Sequence, residues 1–320
     1  MNIAIISFGD NKVSQWNIFS FRVLTQYANL HGYDCHLYTN SLAPERPPAW
    51  SKILYLLKHL DSYDWVVWVD TDCIIEQVHR RIEAFISSQK DIVFCLGGDP
   101  YTLNSGVIIV KNTAWSKTYL QSVYQQEFLV NNRYLLPLKP EDYEKRLDCG
   151  CDGCQYFCYD QKAFIHILHV MDNAEVERHV EFRSTSDKEK CFQSYHDAYW
   201  VGCFIHHFPG NQESKNYIQF IESSRVALER IEMLFSSSLR ASNLEVINEK
   251  DFKELPYDAN IDHFKVFRYV GALPLGQQFN VYLAILRSFF FRLIKPRKRI
   301  GKYLSLKRIE RYIVGKNNPR

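Results

Sequence analysis

The chain has 320 residues, 46% of them hydrophobic and 15% aromatic, which is ample for a large core. Its mean hydropathy of −0.28 excludes a polytopic membrane protein. The formal net charge is only +3, and no nucleic-acid-binding motif accompanies it, so nucleic acid is not an expected partner.

The first apolar run, Ile3–Phe8, is nearly continuous and ends at Gly9-Asp10, as a buried parallel strand ends in a loop. Residues 19–30 read as a helix that leads through His31-Gly32-Tyr33-Asp34 into a second strand at 35–38. A further helix, Ser51–Leu60, precedes a third apolar run at 65–75. This alternation predicts an α/β fold with a mainly parallel sheet and right-handed crossovers. Ligands of such sheets bind at the carboxyl ends of the strands, where Asp10, Asp70 and Asp72 fall.

The third run, WVVWVDTDCII, is interrupted by Asp70-Thr71-Asp72 and then resumes. Read as the end of a buried strand, where residues two apart share a side, it turns both carboxylates toward one hard cation and its phosphate ligand. The plain alternative is an acidic turn capping the next element. Farther on, Asn104-Ser105-Gly106 precedes the apolar run 107–110 and reads as a loop entering a strand, where glycine lets backbone approach a ligand. Asp160-Gln161 opens the helical stretch AFIHIL, so Asp160 is either an N-cap or a carboxylate in a site. His207 is either a packed core histidine beside Phe204, Ile205 and Phe208 or a ligand, with His206 as its competitor.

Taken in order, Trp50-Ser51-Lys52, the 63–75 segment, residues 103–112 with Trp115-Ser116, Tyr159-Asp160-Gln161 and His206-His207-Phe208-Pro209-Gly210 resemble glycosyltransferase family 34. These are the GT-A-fold galactosyl, mannosyl and xylosyltransferases. The resemblance covers about residues 3–210 and says nothing of the final hundred. It implies a GT-A (Rossmann-like) mixed, mainly parallel sheet flanked by helices. It also implies a metal-dependent enzyme that moves a sugar from a nucleotide diphosphate donor, a UDP-sugar, to a glycan hydroxyl with retention. Asp70, Asp72 and His207 would hold Mn2+ or Mg2+. Ser7, Asp10, Lys52, Asp70, Asp72, Asn104 and Gly106 would bind the donor, and Asp160 and Gln161 would act at the anomeric carbon. One departure stands out: relatives often carry a lysine soon after the histidine-phenylalanine motif, whereas here Asn211-Gln212-Glu213-Ser214 intervenes before Lys215. Rival readings are a nucleotidyltransferase of similar fold, which lacks support from a basic glycine-rich loop, and a catalytically degenerate glycan-binding scaffold.

The domain expectation is a catalytic unit at 1–245, with a donor half at 1–112 and an acceptor half at 113–245, followed by a helical basic extension at 246–320. No export signal is read ahead of Ile3, so the expected location is the cytoplasm or its membrane face, and nine cysteines are expected to be reduced. Four of them, Cys149, Cys151, Cys154 and Cys158, are spaced for a compact Zn2+ knot, although free thiols in an irregular loop, which 131–146 continues, are the favoured reading. Between 287 and 320 stand twelve Lys/Arg and one Glu, so the rest of the chain, with 27 basic and 35 acidic residues, is acidic. The tail interleaves these charges with Phe289, Phe290, Phe291, Leu293 and Ile294. That mix suits an anionic membrane surface, where a glycolipid acceptor would sit, or a helix packed on the catalytic domain.

Overall fold

The computed structural model describes residues 1–87, 89–96, 103–126, 160–183, 192–195, 203–208, 217–241, 269–279, 281–282 and 285. Lys215, the four clustered cysteines and the basic stretch 287–320 lie outside them.

The larger sheet contains β1 (Ile3–Phe8), β2 (Asp34–Tyr38), β3 (Trp65–Val69), β5 (Ile92–Leu96), β6 (Leu103–Lys111) and β7 (Val180–Arg183), in the order β2-β1-β3-β6-β5-β7. β1 runs parallel to β2 and β3, β7 runs parallel to β5, and β6 alone is antiparallel to both neighbours. A smaller sheet joins β4 (Cys73–Ile75), β8 (Gln193–Tyr195) and β9 (Ile205–His207) in the order β4-β9-β8.

The unbroken apolar runs of β1 and β3 follow from burial on both faces. Ile3, Ile5, Trp65, Val67 and Val69 face one core layer, and Ile6, Phe8, Val66 and Trp68 face the other. The first layer is closed by α1 (Ser14–His31) and α6 (Tyr217–Ala241), where Trp16 meets the rings of Tyr217 and Phe220 edge-on at 4.8 and 4.5 Å. The second is closed by α2 (Ser51–Leu60), α3 (Ala114–Tyr124) and α4 (Gln161–Val170), with α5 (Asn173–His179) leading into β7. α1 stops at Gly32, whose φ of +73° is the left-handed conformation that ends helices cheaply only in glycine. Val270, Val281 and Ile285 are buried in the layer under α1, so part of the sequence beyond residue 246 completes that core.

Three local expectations are corrected. The two carboxylates expected to share a side at the end of a strand do not: β3 ends at Val69, and Cys73 N–H closes a turn onto the Asp70 carbonyl at 3.0 Å. The chain then enters the other sheet, so strand alternation no longer relates the two carboxylates. Asn104-Ser105-Gly106 is not a loop but part of β6, in a bulge where the pairing jumps from Phe94↔Ile108 to Cys95↔Asn104. Such a bulge frees backbone and side chains to turn out of the ladder. Helix α1 begins at Ser14, earlier than expected, after a short turn over Asn11–Val13.

Candidate active site

The turn after β3 sends its two carboxylates in different directions. Trp68 and Asp70 lie on the α2 side of the sheet, where the indole Nε1 donates to Asp70 Oδ1 at 2.6 Å and Lys52 Nζ approaches the same oxygen to 3.3 Å. Lys52 projects from the first turn of α2 and is almost fully buried. Its ammonium also lies 2.8 Å from Asp160 Oδ2 and donates to the Ser105 carbonyl at 2.8 Å. Burial alone would favour the neutral amine, yet Asp160 and then Asp70 outweigh it and hold Lys52 above the ordinary lysine range.

Asp160 immediately precedes α4, but its backbone is already helical and its side chain makes no capping hydrogen bond. The carboxylate instead takes the Lys52 ammonium and the Ser105 hydroxyl, the latter at 3.1 Å. Beside it Gln161 Oε1 accepts from the Ser105 N–H at 3.1 Å. The geometry thus excludes the side-chain cap and leaves the carboxylate in a buried ion pair. The β6 bulge thus presents Ser105 to α2 and α4 together.

Asp72 points the other way, toward the small sheet. Phe208 N–H donates to the Asp72 carbonyl at 2.9 Å and β9 pairs antiparallel with β4, setting Cys73 directly opposite His207. His207 Nε2 lies 3.3 Å from Asp72 Oδ1. Its Nδ1 is 2.6 Å from Gln193 Nε2, which also donates to Asn104 Oδ1 at 2.7 Å. His206 faces away, 3.1 Å from Glu76 and stacked on Phe208, so strand alternation turns His207 and not His206 toward Asp72. Gly106 makes this arrangement possible. A Cβ there would come within 2.4 Å of His207 Cε1 and 2.8 Å of Nδ1.

Asp70 is the carboxylate that meets the other charges here: Asp72 and Asp160 repel its charge, and Lys52 and His207 attract it. Asp70 is accordingly held above the ordinary carboxylate range, first by removal from water and then by Asp72 and Asp160, with Lys52 and His207 opposing. Such an excess of anionic groups, with a carboxylate and an imidazole 3.3 Å apart, fits a divalent cation. The atoms that converge within 4.8 Å come from Asp72, Cys73 and His207; Asp70 is not in this group.

Ser7 and Asp10, also expected at the donor, stand on β1 and just after it. Asp10 Oδ1 accepts from Lys12 N–H at 2.9 Å and caps the turn before α1. Ser7 is fully buried on β1, and its hydroxyl has no hydrogen-bond partner among the described residues. Ser105, Cys73 and Gln193 were not anticipated. Ser105 sat inside a recognised motif, Cys73 was hidden by its apolar neighbours, and Gln193 lies on a strand of three residues that carries no readable period.

The model of the galactosyl transferase GMA12/MNN10 family matches residues 5–93, and over that stretch the chain is similar to it. The segment contains Lys52, Asp70 and Asp72. A relative from Oryza sativa subsp. indica, "Probable glycosyltransferase 6", is 31% identical over 110 residues, covering 30% of this chain. The chain spans only 22% of that relative's length. Among solved structures, a glycosyltransferase involved in the glycosylation of the major capsid of PBCV-1 is 14% identical with a TM-score of 0.49, covering 73% of this chain and all of its own. The galactosyltransferase LgtC, in complex with donor and acceptor sugar analogs, is 10% identical with a TM-score of 0.44, covering 79% of this chain and all of its own. The mixed, mainly parallel sheet between two helical layers is the architecture expected of a GT-A protein.

Proposed function

We propose that the chain is a glycosyltransferase that moves a sugar from a nucleotide diphosphate sugar, with UDP-sugars first in line, to a glycan hydroxyl with retention at the anomeric carbon. The observation that carries this reading is the junction of Lys52, Asp70 and Asp160 with Asp72 and His207 at the end of β3, within and beside the segment similar to the transferase family.

In the reaction, the bond from the anomeric carbon to the terminal phosphate oxygen breaks and a bond to the acceptor oxygen forms. The acceptor proton passes to the departing phosphate. Asp160, fixed by Lys52 and Ser105, faces the positive charge that develops at the anomeric carbon and stabilises it. Gln161, anchored on the Ser105 N–H, shapes the same subsite. A Mn2+ or Mg2+ ion held by Asp72 and His207, with Asp70 at its edge, would neutralise the leaving diphosphate. Asn104 and Gly106, with Gln193, fix the position of His207.

A glycan carried on an anionic membrane is the acceptor this reading favours, because residues 287–320 hold twelve basic residues against one acidic. Sedimentation with anionic vesicles at low salt should pull down the full chain and not one ending at residue 286. If the full chain stays in the supernatant, a soluble acceptor replaces the membrane-borne one.

A thermal-shift panel of nucleotide sugars, with and without Mn2+, tests the donor assignment. One nucleotide sugar at about a hundred times its dissociation constant should stabilise the fold by about 2.7 kcal/mol, and more with metal than without. If none raises the midpoint, the donor class is wrong.

A further inference from the structure

We propose that Gln193 is a positioning residue that decides which ring nitrogen of His207 carries the proton, and that its side-chain amide must turn over before His207 Nε2 can serve a cation. The polarity of the network is fixed at one backbone group. Gly106 N–H can only donate, and it donates to Asn104 Oδ1 at 2.7 Å, so that atom is the acceptor end of the Asn104 amide. Gln193 is fully buried on β8, level with Ile205 of β9, and so shares a face with His207. It meets the same Asn104 oxygen at 2.7 Å and must present its NH2 there. That nitrogen also lies 2.6 Å from His207 Nδ1, and its second hydrogen leaves Nδ1 no role but acceptor. His207 therefore carries its proton on Nε2, which faces Asp72 Oδ1 at 3.3 Å.

Nε2 is the nitrogen that the proposed function gives to Mn2+ or Mg2+, and the inference rests on that reading. A ligating Nε2 has given up its hydrogen, so the one proton of the neutral ring stands on Nδ1 and needs an acceptor. Gln193 supplies one only by turning its amide until Oε1 faces Nδ1. The same oxygen then also faces Asn104 Oδ1 with no hydrogen between them, so Asn104 and Gln193 must part. The ring keeps one proton throughout, and only its position changes. The Gln193–Asn104 contact thus holds His207 in the form that resists a cation. Capture of the ion is coupled to the release of Asn104, a residue expected at the donor.

Nuclear magnetic resonance of the full chain labelled with nitrogen-15 histidine reads the tautomer without any substrate. In the chelator-treated chain at about pH 8, above the ordinary histidine range, His207 should show the Nε2–H form, its signal assigned by loss in His207→Gln. Asn104→Ala removes the oxygen that fixes the amide, and Gln193→Glu replaces the hydrogen-bond donor by an acceptor. Both should move His207 toward the Nδ1–H form and bind Mn2+ at least about tenfold more tightly than the native chain, as read by electron paramagnetic resonance. Loss of a merely structural contact would leave that affinity equal or lower. An Nδ1–H form in the native chain, or Mn2+ affinity no greater than native in both variants, overturns the inference. If one variant fails to fold the other decides, and if neither folds the native tautomer decides. Tighter Mn2+ binding by the variants of a chain that consumes no sugar nucleotide would remove only the proposed function. Mn2+-dependent transfer beside unchanged affinity in both variants would remove only the role of Gln193.

Discussion

The ammonium of Lys52 sits 2.8 Å from the carboxylate of Asp160, with 3% and 6% of the two side chains exposed. With both charges so deeply buried, each depends on the other and on Asp70 and Ser105. Lys52→Met should destabilise the chain by about 3–5 kcal/mol, because it strands a buried carboxylate. Adding Asp160→Asn to Lys52→Met should restore most of that stability while leaving transfer absent. Thermal denaturation of the two single variants and the pair measures this coupling. A double variant no more stable than Lys52→Met would mean that the pair is not the principal stabilising contact of either group.

Gly106→Ala tests how closely the site is built. The added methyl carbon would meet His207 within 2.4 Å and Asn104 Oδ1 within 2.9 Å, so the imidazole must move. Divalent-ion affinity should fall by at least about tenfold with little change in secondary structure. Electron paramagnetic resonance of free Mn2+ reads it directly. Unchanged affinity would show that His207 does not bear on the cation.

Acid stability should be governed in part by histidines buried in neutral form. His59 stacks on His36 with centroids 4.1 Å apart, accepts or donates with Tyr38 at 2.7 Å, and is pushed down to about 4 by burial, then by His36 and Lys58. His36 is lowered too, by burial first, with Asp34 opposing and Lys58 assisting. A histidine near 6.5 when unfolded takes up a proton there before the folded one does, so stability present above about pH 6.5 is lost as the pH falls toward 4. The melting temperature should drop across that window, and His59→Gln should flatten the drop by a few degrees. Only part of the slope will go, since His31 and His166 are also lowered by burial. An identical slope in His59→Gln would remove His59 from the account.

The parts of the fold that could be read from residues are those where a local pattern meets a global demand. β1 and β3 were legible because strands covered on both faces must be apolar throughout. The acidic pair was found for the wrong reason. Its members were expected to share a face by strand alternation, yet a turn closed by Cys73 N–H onto the Asp70 carbonyl separates them. Asp160 could not be assigned from sequence because cap and site demand the same residue type at the same place. What its carboxylate meets, the buried Lys52 of a distant helix, is a long-range fact. Cys73 and Gln193 were illegible because short strands set their environment, and that pairing is a long-range fact.

The most direct measurement of the central claim is steady-state release of nucleotide from the donor selected by thermal shift, with acceptor and Mn2+, in the native chain, Asp160→Asn and Gln161→Ala. Both substitutions should lower kcat by about a hundredfold or more while changing the donor KM by only a few-fold, as expected of groups that act on the transition state. Turnover equal to that of the native chain in Asp160→Asn would contradict the account, because the carboxylate held by Lys52 would then have no part in the chemistry.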